Sequence, residues 1–453
     1  MDKETKKQMM AEERIETLIP RMAVPTIVAQ LIQTVYNLAD TYFVSGLGTN
    51  ATAAVGVNSS LEKIISLMGN LLAAGACSYI ARLLGAKREK DADRVLSTAF
   101  FTGLGAGLII MIVCSLILEP LVYFLGANED CAVYSMQYAT YVLYAAPFMI
   151  GSFILNMCLR SEGSATFSMI GIGFGGILNC FLDPIFIYGM DLGVLGASMA
   201  TAISKLISFL ILLYPYVRKK SVVHLSFRKI KYVWEDIKNV VTIGSTSFFR
   251  MFMLVISNIL LNRVAGTIST SVMAAVSIAN RVLEFPFAFI LGFGLGYQPV
   301  VGFNWGAKNW QRVKDSYKFG IKVSIIGSII MGGLIIVLAP WIVTLFNKQA
   351  DPEVMATGIL CIRLQCATMI AHSFGSITNM FYAGIGRAKE AVLLSTSRQG
   401  YCFIPCILIL PALLGVTGIA SAQAVADLVT FAISIPLCVK AIKLINEKMA
   451  EDG

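Results

Sequence analysis

The stretch YNLADTYFVSGLG, Tyr36 to Gly48, closes an apolar run that begins at Arg21, and it places one carboxylate, Asp40, among residues suited to hydrocarbon. Arg21 to Leu47 exceeds the roughly 20 residues a helix needs to cross a bilayer core. Lipid offers no hydrogen bonds to an open strand, so a run this long and unalternating reads as a helix. A charge deep in such a helix costs at least about 2.5 to 3.5 kcal/mol on insertion scales. Asp40 therefore has a partner, a wet cavity or a task.

Eleven further runs of membrane length follow, the last two being Glu390 to Leu413 and Val416 to Val439. The chain is 57% hydrophobic and 14% charged, with a mean hydropathy of +0.74. Soluble domains carry about 25% charged residues. Most of the 36 Lys and Arg fall in the N-terminus, the even-numbered connections and the C-terminus, against Arg263 and Lys348 in the odd-numbered ones. Both termini are then expected to be cytoplasmic. Orientation accounts for the net charge of +9, so no nucleic-acid partner is implied. The basic run from Arg218 to Lys238 is read as a stop signal between halves that could also touch anionic membrane lipids. Residues 1–16 lack the apolar core and cleavage site of a signal peptide, so the first span is expected to direct its own insertion.

The halves repeat. Asn37 in VYNL sets against Asn258 in ISNI, AAVGV from Ala53 against AAVSI from Ala274, and LLGAK ending at Lys87 against NWGAK ending at Lys308, all three pairs at one identical offset. LGVLG from Leu192 matches LGVTG from Leu414 at very nearly the same offset. Six helices per half bring both copies into the membrane from the same side. The expected fold is all-α, an integral membrane protein with twelve transmembrane helices in two pseudo-twofold-related six-helix bundles. Its expected parts are a cytoplasmic segment 1–20, an N-terminal lobe 21–217, a cytoplasmic linker 218–239, a C-terminal lobe 240–440 and a cytoplasmic tail 441–453. Parallel repeats of this kind suit proteins that rock two bundles about a central site.

The intramembrane charges divide unevenly: Asp40, Glu62, Lys63, Asp183 and Lys205 in the first lobe, Arg250, Arg281, Glu284, Arg363, Arg398 and Asp427 in the second. A small cation is expected in the first. Asp40, Asp183 and Thr201 each lie about seven residues, or roughly 10 Å, from the outer ends of their helices. Asn179 sits one turn from Asp183 on the same face. Two carboxylates, an amide oxygen and a hydroxyl are hard ligands that suit Na⁺, and a carboxylate pair can equally share a proton. The competing reading has Asp40 and Asp183 paired with Lys205 or Lys63 as helix glue, and Lys205 could serve both roles. Gln33, Tyr36, Asn37 and Asp40 form one polar stripe expected to face a substrate cavity. Lys205, Arg250, Arg281, Glu284, Arg363 and Arg398 are expected to be mainly structural. Pro25 should weaken the first helix and allow a bend.

Catalysis finds little support. The cysteines, such as Cys77, Cys158 and Cys402, read as packing residues within helices, and no CxxC pair occurs. GIGFGG, Gly171 to Gly176, matches GxGxxG but lies in a span, where close packing is the simpler reading. With only His224 and His372, and no GxxxxGK[ST], HExxH or GxSxG, the chain is read as no enzyme.

Taken together and in order, YNLADTYFVSGLG followed by TAAVG, LRSEG, ILNCFLDPIFIYGMDLGVLGASMATAIS, QPVVGFNWGAK and GIGRAKEAVLLSTSRQG closely resemble the multidrug and toxic compound extrusion (MATE) transporters of the multidrug/oligosaccharidyl-lipid/polysaccharide flippase superfamily. The similarity runs through both halves. It implies a two-lobed, cofactor-free monomer in a bacterial or archaeal plasma membrane, opening alternately to either side. Such a protein exports bulky organic, often cationic, small molecules in exchange for inward H⁺ or Na⁺. The family's first-lobe cation site uses an aspartate of the first helix, an Asn and an Asp one turn apart on the fifth and a threonine on the sixth, carried here by Asp40, Asn179, Asp183 and Thr201. One branch adds acids in the seventh and tenth helices; here those helices offer Arg250, and Arg363 with His372. The alternatives are a lipid-linked saccharide flippase of the same superfamily, whose members often carry extra helices, and a passive channel or receptor, for which the repeat and buried acids have no use.

Overall fold

The computed structural model describes residues 3–346 and 351–452, leaving Lys348 outside the described residues. A short helix α1 (Lys3–Glu12) precedes the first bundle. That bundle comprises α2 (Ile15–Ser45), α3 (Thr49–Gly85), α4 (Glu89–Leu116) with its continuation α5 (Leu118–Phe124), α6 (Glu129–Ser161), α7 (Ala165–Pro184) and α8 (Gly193–Val217). The second comprises α9 (Trp234–Ile268), α10 (Thr270–Gly306), α11 (Trp310–Phe346), α12 (Pro352–Ala367), α13 (Met369–Ile385), α14 (Ala388–Thr396), α15 (Phe403–Leu414) and α16 (Val416–Asp452). Eleven of these are long and apolar enough to span a membrane, counting α7 and α14–α15 with the π-turns noted below. The twelfth span is the pair α12–α13, bent by 48°. The protein is thus a twelve-span, all-helical membrane protein. Leu108, Ile109, Ile112 and Val113 on α4, and Ile326, Ile329, Ile330 and Val337 on α11, are exposed, as a face solvated by lipid must be.

Helix breaks follow from backbone chemistry. The bend between α12 and α13 falls at Thr368, whose hydroxyl donates to the carbonyls of Leu364 and Gln365; such back-bonding bends helices. Pro184 has no N–H to give, and a π-turn, Ile185–Gly189, follows it. A second π-turn, Ser397–Tyr401, begins where Thr396 and Ser397 bond back to Val392 and Leu393. By contrast α2 runs unbroken through Pro20 and Pro25; beside Pro25 the Thr26 hydroxyl bonds the Met22 and Ala23 carbonyls.

The repeat is visible in three dimensions. Lys87 and its repeat counterpart Lys308 both adopt left-handed backbone (φ 59° and 55°). Each lets the next N–H reach the carbonyl five residues back, Arg88 to Leu83 at 2.8 Å and Asn309 to Asn304 at 3.0 Å, which closes the helix end. Just before these turns the bundles meet main chain to main chain. A Cβ on Gly85 would overlap the Phe303 carbonyl, and one on Gly306 would overlap that of Arg82. These contacts exchange under the same offset that relates the two lysines, as a pseudo-twofold axis requires. On the flanks Gly75 and Gly244 lie against Val240 and Leu71, and Gly292 and Gly296 lie against Ile27 and Ala23. Small residues let helices approach this closely.

This seam occupies one end of the molecule, the end that carries both described termini. There Asp236 of α9 accepts from Arg94 at 2.7 Å and Tyr79 at 3.2 Å. Arg312 of α11 donates to the Met10 and Glu13 carbonyls, and Trp310 donates to Asp452. Toward the other end the bundles part, and Tyr42, Ile64, Met68, Phe252 and Ile259 are exposed. The result is a cleft closed at the termini and open opposite them.

Candidate ion site and central cavity

α7 carries Asn179 and Asp183 into the first bundle, where both are buried. Asn179 is the hub: its Nδ2 donates to Asp183 Oδ1 at 3.2 Å and to Thr201 Oγ1, on α8, at 3.4 Å. Asp40, on α2, lies within electrostatic reach of Asp183. The four side chains read from the sequence therefore occupy one region of one bundle, contributed by three helices. Three of their oxygens, Asp40 Oδ1, Asn179 Oδ1 and Asp183 Oδ2, are buried and accept no hydrogen bond. Acceptors left bare in this way are costly unless something positive meets them.

The partners named by the competing reading form no ion pair with either acid, although Lys205 lies within electrostatic reach of Asp40. Among the described residues neither Asp40 nor Asp183 has a basic nitrogen within salt-bridge distance. Lys205 instead donates to the Tyr36 hydroxyl at 2.9 Å and sits 4.9 Å from its ring centroid. Lys63 is exposed. Two residues that motif reading did not assign join the group. Tyr138 of α6 is buried and reaches Glu62 of α3 at 3.5 Å. Glu62 is within electrostatic reach of Asp40. Glu62 was legible as an intramembrane charge, whereas Tyr138 carried no signal that separates it from other aromatic residues. Beside Asn179 and Thr201 lies a cavity of about 50 Å³, walled also by Gln33, Tyr36 and Lys205. It is large enough for a water or a small ion. Among the described residues no three His, Cys, Asp or Glu side chains cluster as a metal site, and all ten cysteines are free.

A second, larger cavity of about 550 Å³ opens among α2, α9, α10, α13 and α16. Gln33 and Asn37 reach it from α2, and Asn258, the repeat counterpart of Asn37, reaches it from α9. Gln33 thus borders both cavities, while Tyr36 faces only the smaller. Arg398 on the wall is closed off by Asp427, with Nε to Oδ1 at 2.7 Å and NH2 to Oδ2 at 3.4 Å, and stacks on Phe287 at 4.7 Å. Gln423 also donates to Asp427 at 3.0 Å. Glu284 is within electrostatic reach of Arg281 and Lys63. Arg363 is exposed. Arg250 lines the same wall, with no hydrogen bond or ion pair to any described residue.

A doubled bundle with a cleft at one end and a polar cavity between its halves defines a membrane transporter, not an enzyme. The MatE family model matches residues 25–185 and 247–409, one stretch in each bundle, and the chain belongs to that family. It is 26% identical over 406 residues to the multidrug export protein MepA of Staphylococcus saprophyticus, covering 89% of both chains. It is 29% identical over 408 residues to MepA of Staphylococcus aureus, again covering 89% of each. Among solved structures it matches an outward-facing multidrug resistance MATE family transporter at a TM-score of 0.92 and 26% identity, over 97% of this chain and 98% of that one.

Proposed function

We propose that this chain is a secondary antiporter that exports bulky organic compounds, often cationic, in exchange for inward Na⁺ or H⁺. The observation that carries this reading is the trio of bare buried oxygens on Asp40, Asn179 and Asp183. Their chemistry fits a monovalent cation: Asp40, Asn179, Asp183 and Thr201 would hold Na⁺ through oxygen, or the two carboxylates would share one proton. With both termini cytoplasmic, as the distribution of Lys and Arg supports, the cleft described above faces outward. The cation enters from outside and binds one state of the first lobe better than the other, and only that difference can drive the export step. The relatives' names as multidrug export proteins support organic cargo.

The test is dye efflux from proteoliposomes with an imposed Na⁺ gradient at constant pH, and separately a pH gradient without Na⁺. One gradient should drive efflux by the wild type, and Asp40→Asn should abolish the driven component. Unaltered coupled efflux in Asp40→Asn would remove this mechanism.

A further inference from the structure

Arg250 projects from α9 into the 550 Å³ cavity. Its charge is not accounted for. Arg398 on the same wall is held by Asp427, whereas among the described residues no carboxylate lies within ion-pair distance of Arg250. Glu284, the acid on that wall, responds to Arg281 and Lys63 instead. Nor does the repeat demand a base here, because the equivalent position in the first lobe, at the offset that pairs Asn37 with Asn258, is Ala29. A guanidinium with five donors in a low-dielectric cavity is a receptor for a planar anion, and it binds carboxylate in bidentate fashion.

The rest of the wall says what the anion is attached to. Carboxamides of Gln33, Asn37, Asn258 and Gln365 face the space together with Met251, Leu254 and Phe287. Such a mixture offers hydrogen bonds of either sense and an adaptable apolar surface. We infer that the larger cavity, between the lobes, binds carboxylate-bearing amphiphiles, anionic or zwitterionic, with the carboxylate on Arg250 and the apolar body along the Met251–Leu254 face toward Phe287. The site names one class of cargo for the proposed exporter and rests on that reading only for its transport role.

The experiment uses the full chain in nanodiscs of zwitterionic lipid and three fluorescent probes of one skeleton: pyrenebutyrate, pyrenebutanol and pyrenebutylamine. Signal from empty nanodiscs is subtracted. Pyrenebutyrate should bind saturably and at least about tenfold more tightly than the alcohol. Arg250→Gln should weaken pyrenebutyrate about tenfold or more, the loss expected for a charge-assisted hydrogen bond, without changing the alcohol. Arg250→Lys should restore part of the difference, and Arg363→Gln should leave it intact. Equal binding of acid and alcohol, or an unaltered acid affinity in Arg250→Gln, overturns the assignment. So does competitive loss of the probe on adding phosphatidylglycerol, which would make Arg250 a lipid-headgroup site. Asp40→Asn should retain pyrenebutyrate binding even where it stops driven efflux, so failure of the coupling mechanism and failure of this site give different results.

Discussion

At the scale of single residues, Asn179 does more than its neutral side chain suggests. Its amide nitrogen ties Asp183 to Thr201, and its amide oxygen, like one oxygen each of Asp40 and Asp183, is buried and bare. In the proposed antiport, Asn179→Leu would remove one ligand and free the other two side chains. The apparent affinity for the driving cation, measured from the dependence of efflux on its external concentration, should fall about tenfold or more, with maximal efflux less affected. These side chains could be found in the sequence because carboxylates and amides are conspicuous in apolar helices and their depths agree. The isolation of Arg250 could not. Whether a base is paired depends on which helices face one another, and Asp427 meets Arg398 across α16 and the second π-turn, a contact between residues 29 positions apart.

At the scale of elements, the spans followed from run length, but their interruptions did so unevenly. Pro184 announces the π-turn after it, whereas the bend at Thr368 arises from a hydroxyl choosing two carbonyls, a choice that run length does not reveal. The linker was readable only as a basic segment, and its anchor is an acid. Glu162, just past α6, is buried and accepts from the Ser221 hydroxyl at 2.5 Å and from the Val222 and Val223 amides at 2.8 and 3.2 Å. Burial holds its carboxyl above the usual range, opposed by Lys6 and these donors. The folded chain therefore keeps this proton to higher pH than the unfolded chain does. The contribution to stability is greatest in acid and declines as pH rises from the ordinary carboxylate value through the folded one. Glu162→Gln should flatten that decline in thermal unfolding of the detergent-solubilised protein. Glu162→Ala strands four donors, the Ser164 hydroxyl among them, and should cost about 1–3 kcal/mol, read as a lower Tm at every pH.

For the whole molecule, the constant offset between the halves carried most of the architecture, since equal spacing of Asn37/Asn258 and Lys87/Lys308 already implied two like bundles. It did not reveal where they touch. The exchange of Gly85 with Phe303 and of Gly306 with Arg82 predicts that either glycine is equally vulnerable. Gly85→Val and Gly306→Val should both prevent full closure of the seam. Amide exchange across 71–85 and 296–306 should then rise by a similar factor in each. Gly105→Val, where a Cβ meets open space, should leave exchange unchanged.

Backbone contact at the seam also bears on what parting the halves would cost in the proposed transport cycle. Surfaces made of glycine and carbonyl groups hold few rotamers, so separating them returns little side-chain entropy and mainly admits water to narrow strips of main chain. Solutes excluded from protein surfaces, such as trimethylamine oxide or sucrose, penalise such wetting. A cell that accumulates osmolytes under drought or high salinity would thereby hold this protein longer with its termini-side gate shut, without any ligand acting on it.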